Sequence, residues 1–310
     1  MSGWKAIMEA SKKKVTAPPE VPVEKQKEIP TIKSKIARYL DSMNDDGRSE
    51  PGWLRVSELS DLCIRAKVLG WHYPEMVDKV EYQTRLIFLI GKALHTLFQD
   101  TILGGARILK GKWECGKCGS LVEGFKPNFP CPYCKPVLRC MNCLDSVASR
   151  MVTSDCGNCQ FGSWHYQEPT IKDERLRLTG HSDGIIVATD EGLTELKTIS
   201  SYQFEKLAEP LEHHKFQLNT YLGMLKKQWG IFLYIDKNGH SLPKEFYWQF
   251  NEEMFKKVED RVFEFHRVWE FKKLPAKICD VVTCSRAKNC IYSKKCFDSS
   301  VESKIGVYGQ

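Results

Sequence analysis

No run of about 18 consecutive apolar residues occurs in this chain, so a membrane-spanning helix is not expected. The opening stretch, MSGWKAIMEASKKKVTAPPEVPVEKQKEIP, lacks the apolar segment of a secretory signal, and nothing points to export. A strong excess of one charge is also missing. Lys plus Arg number 46 against 39 Asp plus Glu, a net +7 that suits a polyanion-binding surface without requiring one. What remains is a soluble globular composition, 42% apolar and 27% charged, expected in the cytoplasm with no membrane partner. The 310 residues suffice for one large domain with insertions or two modest ones.

Cysteine, by contrast, is abundant. Thirteen cysteines in a chain expected to stay in a reducing compartment point to metal ligands before disulfides. Eight form a repeat. Cys115 and Cys118 with Cys131 and Cys134 make C-x2-C-x12-C-x2-C, and Cys140, Cys143, Cys156 and Cys159 repeat it 140 − 115 = 25 residues on. Paired knuckles of this kind supply four soft ligands to tetrahedral zinc, so two Zn²⁺ ions are expected. Sequential and cross-braced pairing remain open. Thiolate-only zinc leaves no open coordination position, which suggests a grip on DNA or on a replication or recombination protein. "GFKPNF" and "FGSWHY" offer aromatic and basic residues for stacking on single strands, or for packing the small zinc core. Of the other five cysteines, Cys63 stands alone, and Cys279, Cys284, Cys290 and Cys296 crowd near the end among Arg286, Lys288, Lys294 and Lys295. Four thiolates can hold an iron–sulfur cluster; zinc or buried thiols are the alternatives.

The chain divides into a flexible basic tail (1–30), an N-terminal helical part (31–112), a double zinc-ribbon insertion (113–160) and the remaining core (161–310) with its C-terminal cysteines. The tail is a second candidate surface for a protein partner. Helices are expected at 31–43, through much of 55–100, at 211–228 and at 251–273, where Met254, Val258, Val262, Phe265 and Trp269 recur near one face. Strands are expected at 175–179, 184–189 and 193–199, and in "IFLYI" and "EFYWQF". That order is an α/β core interrupted by an insertion. The insertion is expected to protrude as its own unit, so that its removal spares the rest.

Within the core, "GHSDGIIVATDEGLTELKTIS" places Asp183 at the start of one strand and Glu195 and Lys197 two apart on the next. Alternation puts Glu195 and Lys197 on one face, and Leu196 on the other, core side, together with Ile199. The "DEG" hairpin brings one carboxylate from each strand together, a set of oxygen ligands for Mg²⁺ or Mn²⁺, with a lysine to orient water. On their own these residues are a weak signal, because E-x-K is common on exposed strands and D-G is a common turn. In "GKALHTLFQ", Gly91, His95 and Gln99 lie along one helical stripe, where the plain reading is a half-buried histidine. In "HHKFQLNTYLGML", His214, Gln217 and Tyr221 share a face that could touch phosphate or a base, or simply edge an amphipathic helix.

G-x-x-x-H, G-x-x-D-G, E-x-K and Q-x-x-x-Y in this order resemble the PD-(D/E)xK nucleases. The likeness is to the RecB-type branch, which includes the exonuclease of CRISPR spacer acquisition and phage recombination exonucleases. It covers about residues 55 to 300 without the insertion. It rests on Gly91 and His95, on Gly180, Asp183 and Gly184, on Glu195 and Lys197, and on Gln217 and Tyr221. The resemblance implies a restriction-endonuclease-like core, a mixed sheet flanked by helices. It implies Mg²⁺ or Mn²⁺ held by His95, Asp183 and Glu195 with the Leu196 carbonyl. Lys197 would position the attacking water, and Gln217 and Tyr221 would support Lys197 or the substrate. The implied activity is phosphodiester hydrolysis, exonucleolytic rather than endonucleolytic, on DNA ends or single strands in recombination, repair or replication. A phage origin, and so a host cytoplasm, fits the same branch. Many members carry a [4Fe–4S] cluster held by one early and three late cysteines ending C-x2-C-x5-C. Cys290 and Cys296 match the last spacing; the longer preceding one leaves Cys279 and Cys284 as alternatives beside Cys63. The competing readings are a catalytically inactive zinc and DNA-binding adaptor of a replication or transcription complex, and a zinc-ribbon accessory factor. A dead relative is expected to lack Asp183, Glu195 or Lys197, and all three are present.

Overall fold

The computed structural model describes residues 32–43, 52–76, 81–128, 131–133 and 164–307. These fall into two units divided between Met43 and Asn44. The first is described through helix α1 (Ile32–Ser42), within the helical stretch expected at 31–43. The expected tail, 1–30, lies outside the described residues.

The second unit opens with β1 (Leu54–Arg55), a short 3-10 turn and α2 (Ile64–His72). Helix α3 (Tyr82–Thr96) then runs into a π-helical stretch, Leu97–Leu103. Strands β2 (Leu109–Cys115), β3 (Leu121–Phe125), β4 (Trp164–Gln167), β5 (Thr170–Asp173), β6 (Leu178–His181), β7 (Gly184–Val187) and β8 (Glu191–Ile199) follow. Helices α4 (Ser201–Lys206) and α5 (Glu212–Leu225) lead to β9 (Trp229–Asp236) and β10 (Lys244–Gln249). The long α6 (Glu252–Phe271) and three short helices, α7 (Ser285–Lys288), α8 (Ser293–Cys296) and α9 (Ser299–Ile305), complete it.

Seven strands make one mixed sheet in the order β10-β9-β8-β7-β2-β3, with β4 also paired to β2. Among its described pairs, β8 and β9 run parallel, so the chain needs a crossover longer than a hairpin, and α4 and α5 supply it. Strands β1, β6 and β5 form a smaller sheet. The β8 alternation sorts the core. Leu193 and Ile199, from the face that carries Glu195 and Lys197, pack with Phe232, Leu218, Val258, Val262 and Phe265. Leu196, on the other face, packs with Leu109, Trp113, Ile186 and Trp229. Ile199 is therefore buried as expected but on the face opposite Leu196, because residues an odd number apart point to opposite sides. Helix α6 presents Val258, Val262, Phe265 and Val268 at helical spacing to this core, and Asn251 caps it by accepting the Met254 N–H. These burials make the fold a mixed sheet flanked by helices.

Three expectations are corrected. The strand expected at 175–179 begins only at Leu178, the start of β6, and 175–177 belong to the turn that follows β5. Asp173 Oδ1 accepts the Leu176 N–H at 2.9 Å, and Arg177 takes a φ of 46°, so the chain reverses there. The boundary drawn at residue 113 falls inside β2, whose partners are β3, β4 and β7. Trp113 is fully buried, edge-on to Tyr166 with centroids 5.1 Å apart. The first knuckle is thus built onto the main sheet. Cys134, Cys140, Cys143, Cys156 and Cys159 lie outside the described residues. Finally, Tyr82–Leu103 is long and apolar enough to cross a membrane by length and composition, although no unbroken apolar run exists there. Its Lys92, His95, Thr96 and Gln99 line the pocket described next.

Candidate active site

The stretch GHSDG is shaped by two close contacts. A methyl group on Gly180 would lie 2.5 Å from the Tyr221 hydroxyl, and one on Gly184 would lie 2.5 Å from Leu109 Cδ2. Between these glycines Asp183 is buried and held from several sides. Its Oδ2 accepts the Leu196 N–H at 2.6 Å, its Oδ1 lies 3.4 Å from His95 Nδ1, and its carbonyl accepts from Gln99 Nε2 at 2.8 Å.

Helix α3 and its π-helical continuation supply the opposite wall. A π-turn places residues differently from an α-helix and often marks a functional site. Here it sets Gln99 against Glu168, with Nε2 donating to Oε1 at 2.8 Å. The next residue, Asp100, accepts the Tyr166 N–H at 2.7 Å and lies 2.7 Å from His165 Nδ1, which pins β4. Glu168 follows directly. His95, Glu168 and Asp183 each offer a ligand atom, and these atoms lie within 4.8 Å of one another. Burial lowers the His95 pKa, but its hydrogen bond to Asp183 and that carboxylate's charge outweigh burial and leave it raised. Sequence reasoning did not name Glu168. Its only signal is an acid before Pro169 at the end of "WHYQ", visible once that segment is known to be a strand.

Glu195 and Lys197 lie beside this cluster. Lys197 Nζ is 2.7 Å from Glu195 Oε1 and donates to Gln217 Oε1 at 3.1 Å. Burial pushes the Glu195 carboxyl up to about 7 against the pull of Lys197. The same burial would lower Lys197, but the facing carboxylates of Glu195 and Asp183 hold it above its ordinary value. Glu195 Oε2 is buried and has no hydrogen-bond partner. Tyr221 bonds to Gln217 and to the backbone of His181, and burial raises its hydroxyl. His95 and Asp183 thus come together with Glu168, and Glu195, Lys197, Gln217 and Tyr221 form the adjoining layer. His214 is spent elsewhere. It lies 2.7 Å from the Tyr234 hydroxyl, and burial, then the Lys197 charge, push it down to about 3.

The cluster opens into a cavity of about 820 Å³ whose lining includes Phe88, Lys92, His95, Asp183, Thr198 and Lys237. Aromatic, cationic and carboxylate groups therefore converge there. A metal fits the donor set. Two carboxylates and an imidazole suit Mg²⁺ or Mn²⁺, and the carboxyl of Glu195, whose Oε2 is a buried acceptor without a partner, lies close enough to feel the charges of Asp183 and His95.

Three cysteines are gathered near the end of β2. Cys115, Cys118 and Cys131 bring their sulfurs within 4.8 Å of one another. Far along the chain, Cys279 is pushed up to about 11, first by its hydrogen bond with Cys284, then by burial and by the charges of Cys284 and Cys63. Cys284 is lowered, first by the Ala287 N–H and then by the same Cys279 bond. Cys63 accepts the Ala66 N–H at 3.4 Å. Cys279 and Cys284, the candidates for the ambiguous position, are therefore hydrogen-bonded to each other. Cys296 closes α8 against the core, and Cys290 precedes it in the same segment.

No family model and no curated protein matches the sequence. Solved structures are similar in part. SSO0001 aligns over 86% of this chain and 95% of its own at 16% identity, with a TM-score of 0.44. An alkaline exonuclease, LHK-Exo, from Laribacter hongkongensis aligns over 71% of this chain and 89% of its own at 13% identity and a TM-score of 0.34. LHK-Exo in complex with dAMP aligns over 33% and 54% at 19% identity and 0.30. Similarities this low leave the chemistry to the side chains of this chain.

Proposed function

We propose that the chain is a metal-dependent DNA nuclease, working on ends as an exonuclease. The convergence of His95, Glu168 and Asp183, with the Lys197–Glu195 pair behind them, carries the reading. A divalent ion held by these three, with Glu195 beside them, would supply Lewis acidity at a phosphodiester oxygen and make water a better nucleophile. Leu196 N–H locks the Asp183 carboxylate, and Gln99 aims Glu168. Lys197, kept protonated by Glu195 and steadied by Gln217, holds positive charge where a phosphate gathers negative charge. Lys92 and Lys237 line the path of a polyanion into the cavity, and Phe88 offers a ring for a base. The donor-rich group of Cys63, Cys279, Cys284, Cys290 and Cys296 is read as four ligands of an iron–sulfur cluster that ties the ends of the core together. Neither the site nor this cluster suits a purely structural adaptor, which has no use for a buried Glu–Lys pair under a carboxylate cluster.

End-labelled single- and double-stranded DNA, digested with Mn²⁺ or Mg²⁺ present, tests the reading. Wild-type protein should shorten the label stepwise, and Asp183→Ala and Lys197→Ala should each lose at least about a hundredfold in rate. Equal cleavage by wild type and Asp183→Ala would sink it.

A further inference from the structure

We infer that Cys115, Cys118 and Cys131 bind a zinc ion, and that this ion fixes the β2–β4 pair from which Glu168 enters the candidate active site. The first half stands on the knuckle alone; the second rests on the nuclease reading of His95, Glu168 and Asp183.

The three sulfurs are gathered by backbone geometry. Gly119, at a φ of 71°, lets the chain fold back so that its N–H donates to the Cys115 carbonyl at 2.8 Å, and Cys115 N–H donates to Ser120 O at 2.9 Å. That turn puts Cys118 beside Cys115, and Cys131 arrives from the far side of β3 with its sulfur 3.6 Å from that of Cys118. Cys115 and Cys131 are 1% and 3% exposed, within the same apolar cluster as Trp113 and Trp164. Thiols brought this close in an apolar setting are a soft donor set, and zinc is the cation that such a set selects. Cys134, the fourth thiolate expected from the sequence, lies outside the described residues.

The knuckle is joined to the site by strand register. Cys115 faces Trp164 and Lys112 faces Gln167 in the antiparallel β2–β4 pair, and Glu168 is the next residue. At roughly 3.3 Å per residue Trp164, opposite Cys115, sits about 13 Å from Glu168 along this strand. Two further contacts close the circuit. Trp113 fills the space above Gly104, which caps the π-helical stretch and where a methyl group would lie 2.6 Å from its ring, and Asp100 within that stretch grips His165 and Tyr166. Loosening the knuckle end of the ladder therefore frees Glu168 relative to His95 and Asp183. Supporting groups of this kind typically change metal affinity 10- to 100-fold.

Two measurements on the full-length protein decide it: zinc content by elemental analysis, and Mn²⁺ affinity at the candidate active site by calorimetry, with Asp183→Ala as the blank. Cys118→Ala changes the exposed cysteine and should lose one equivalent of zinc relative to wild type. It should also weaken Mn²⁺ binding about tenfold or more, and Cys118→His, which keeps a zinc ligand, should restore both. Unchanged zinc in Cys118→Ala, or a native Cys118–Cys131 disulfide, would overturn the site. Loss of zinc with unchanged Mn²⁺ affinity would overturn the link to Glu168. Should Cys118→Ala be insoluble, Co²⁺ loading replaces it. The thiolate-to-cobalt absorbance of chelator-treated wild type should weaken in Cys118→His, and identical spectra would overturn the site. None of these readouts needs DNA cleavage, so a failed digestion assay leaves the zinc result standing.

Discussion

Gln99 shows how one side chain can organise a site without taking part in the chemistry. Its amide spans Glu168 Oε1 and the Asp183 carbonyl, both at 2.8 Å. Gln99→Ala should therefore leave the protein folded while weakening Mn²⁺ binding about 10- to 100-fold, measurable by calorimetry. Gln99→Glu should do no better, since it replaces a donor with a second negative charge facing Glu168. A different residue-scale test concerns Gly180. A methyl group there meets the Tyr221 hydroxyl, so Gly180→Ala should cost about 1–3 kcal/mol in urea denaturation. A variant as stable as wild type would show that β6 and α5 can move apart freely.

At the scale of elements, β8 is the strand on which both core clusters and the site depend. Leu196 is fully buried, and Leu196→Ala should cost about 2–5 kcal/mol in the same assay. The first residue of β8, Glu191, offers a pH test. Hydrogen bonds from Lys110 and Lys227, then their charges, lower its carboxyl to about 2 from an ordinary 4.5. A depressed folded-state pKa means that its contribution is complete above about 4.5, shrinks below that, and is gone once pH has fallen through about 2. Because the side chain is a third exposed, water screens the pair, and Glu191→Gln should cost no more than about 1 kcal/mol at pH 7. That difference should narrow at pH 3; a gap that widens on acidification would contradict the assignment.

Across the whole second unit, the ends of the chain are clasped by Arg65. It is 2% exposed, donates to Pro275 O at 2.6 Å and to Cys296 O at 3.2 Å, and pairs with Glu302. Lys277 still pairs with Glu302 at 2.9 Å without it, but the two carbonyls lose a buried donor, so Arg65→Ala should cost about 1–3 kcal/mol and speed thiol alkylation at Cys279 and Cys284. Excising 113–160 is the other whole-molecule test. The expectation from sequence was that the insertion could be replaced without harm to the core. Because β2 runs through residue 113, a Gly/Ser linker across 113–160 should instead abolish Mn²⁺ binding at the candidate site, alongside loss of the β2–β4 pairing in hydrogen exchange.

Much was legible locally. The alternation in "TELKTI" and the helical repeat of α6 depend on neighbours two to four residues away, so the sequence by itself determined which face of β8 carries Glu195 and Lys197. It also showed that paired cysteines are ligand-like. The strand at 109–115 is also written in "LKGKWEC", where Leu109, Trp113 and Cys115 alternate with Lys110, Lys112 and Glu114. What no local pattern could determine are the pairings over distance. Gln99 reaches Glu168 across 69 residues and Asp183 across 84, Arg65 reaches Glu302 across 237, and Cys115 faces Trp164 across 164 − 115 = 49. Glu168 entered the cluster, and Glu195 was drawn back onto Lys197, because a carboxylate's role is set by what packs around it. That packing is decided by which strands pair and which helix covers them, a property of the folded chain and not of any window along it.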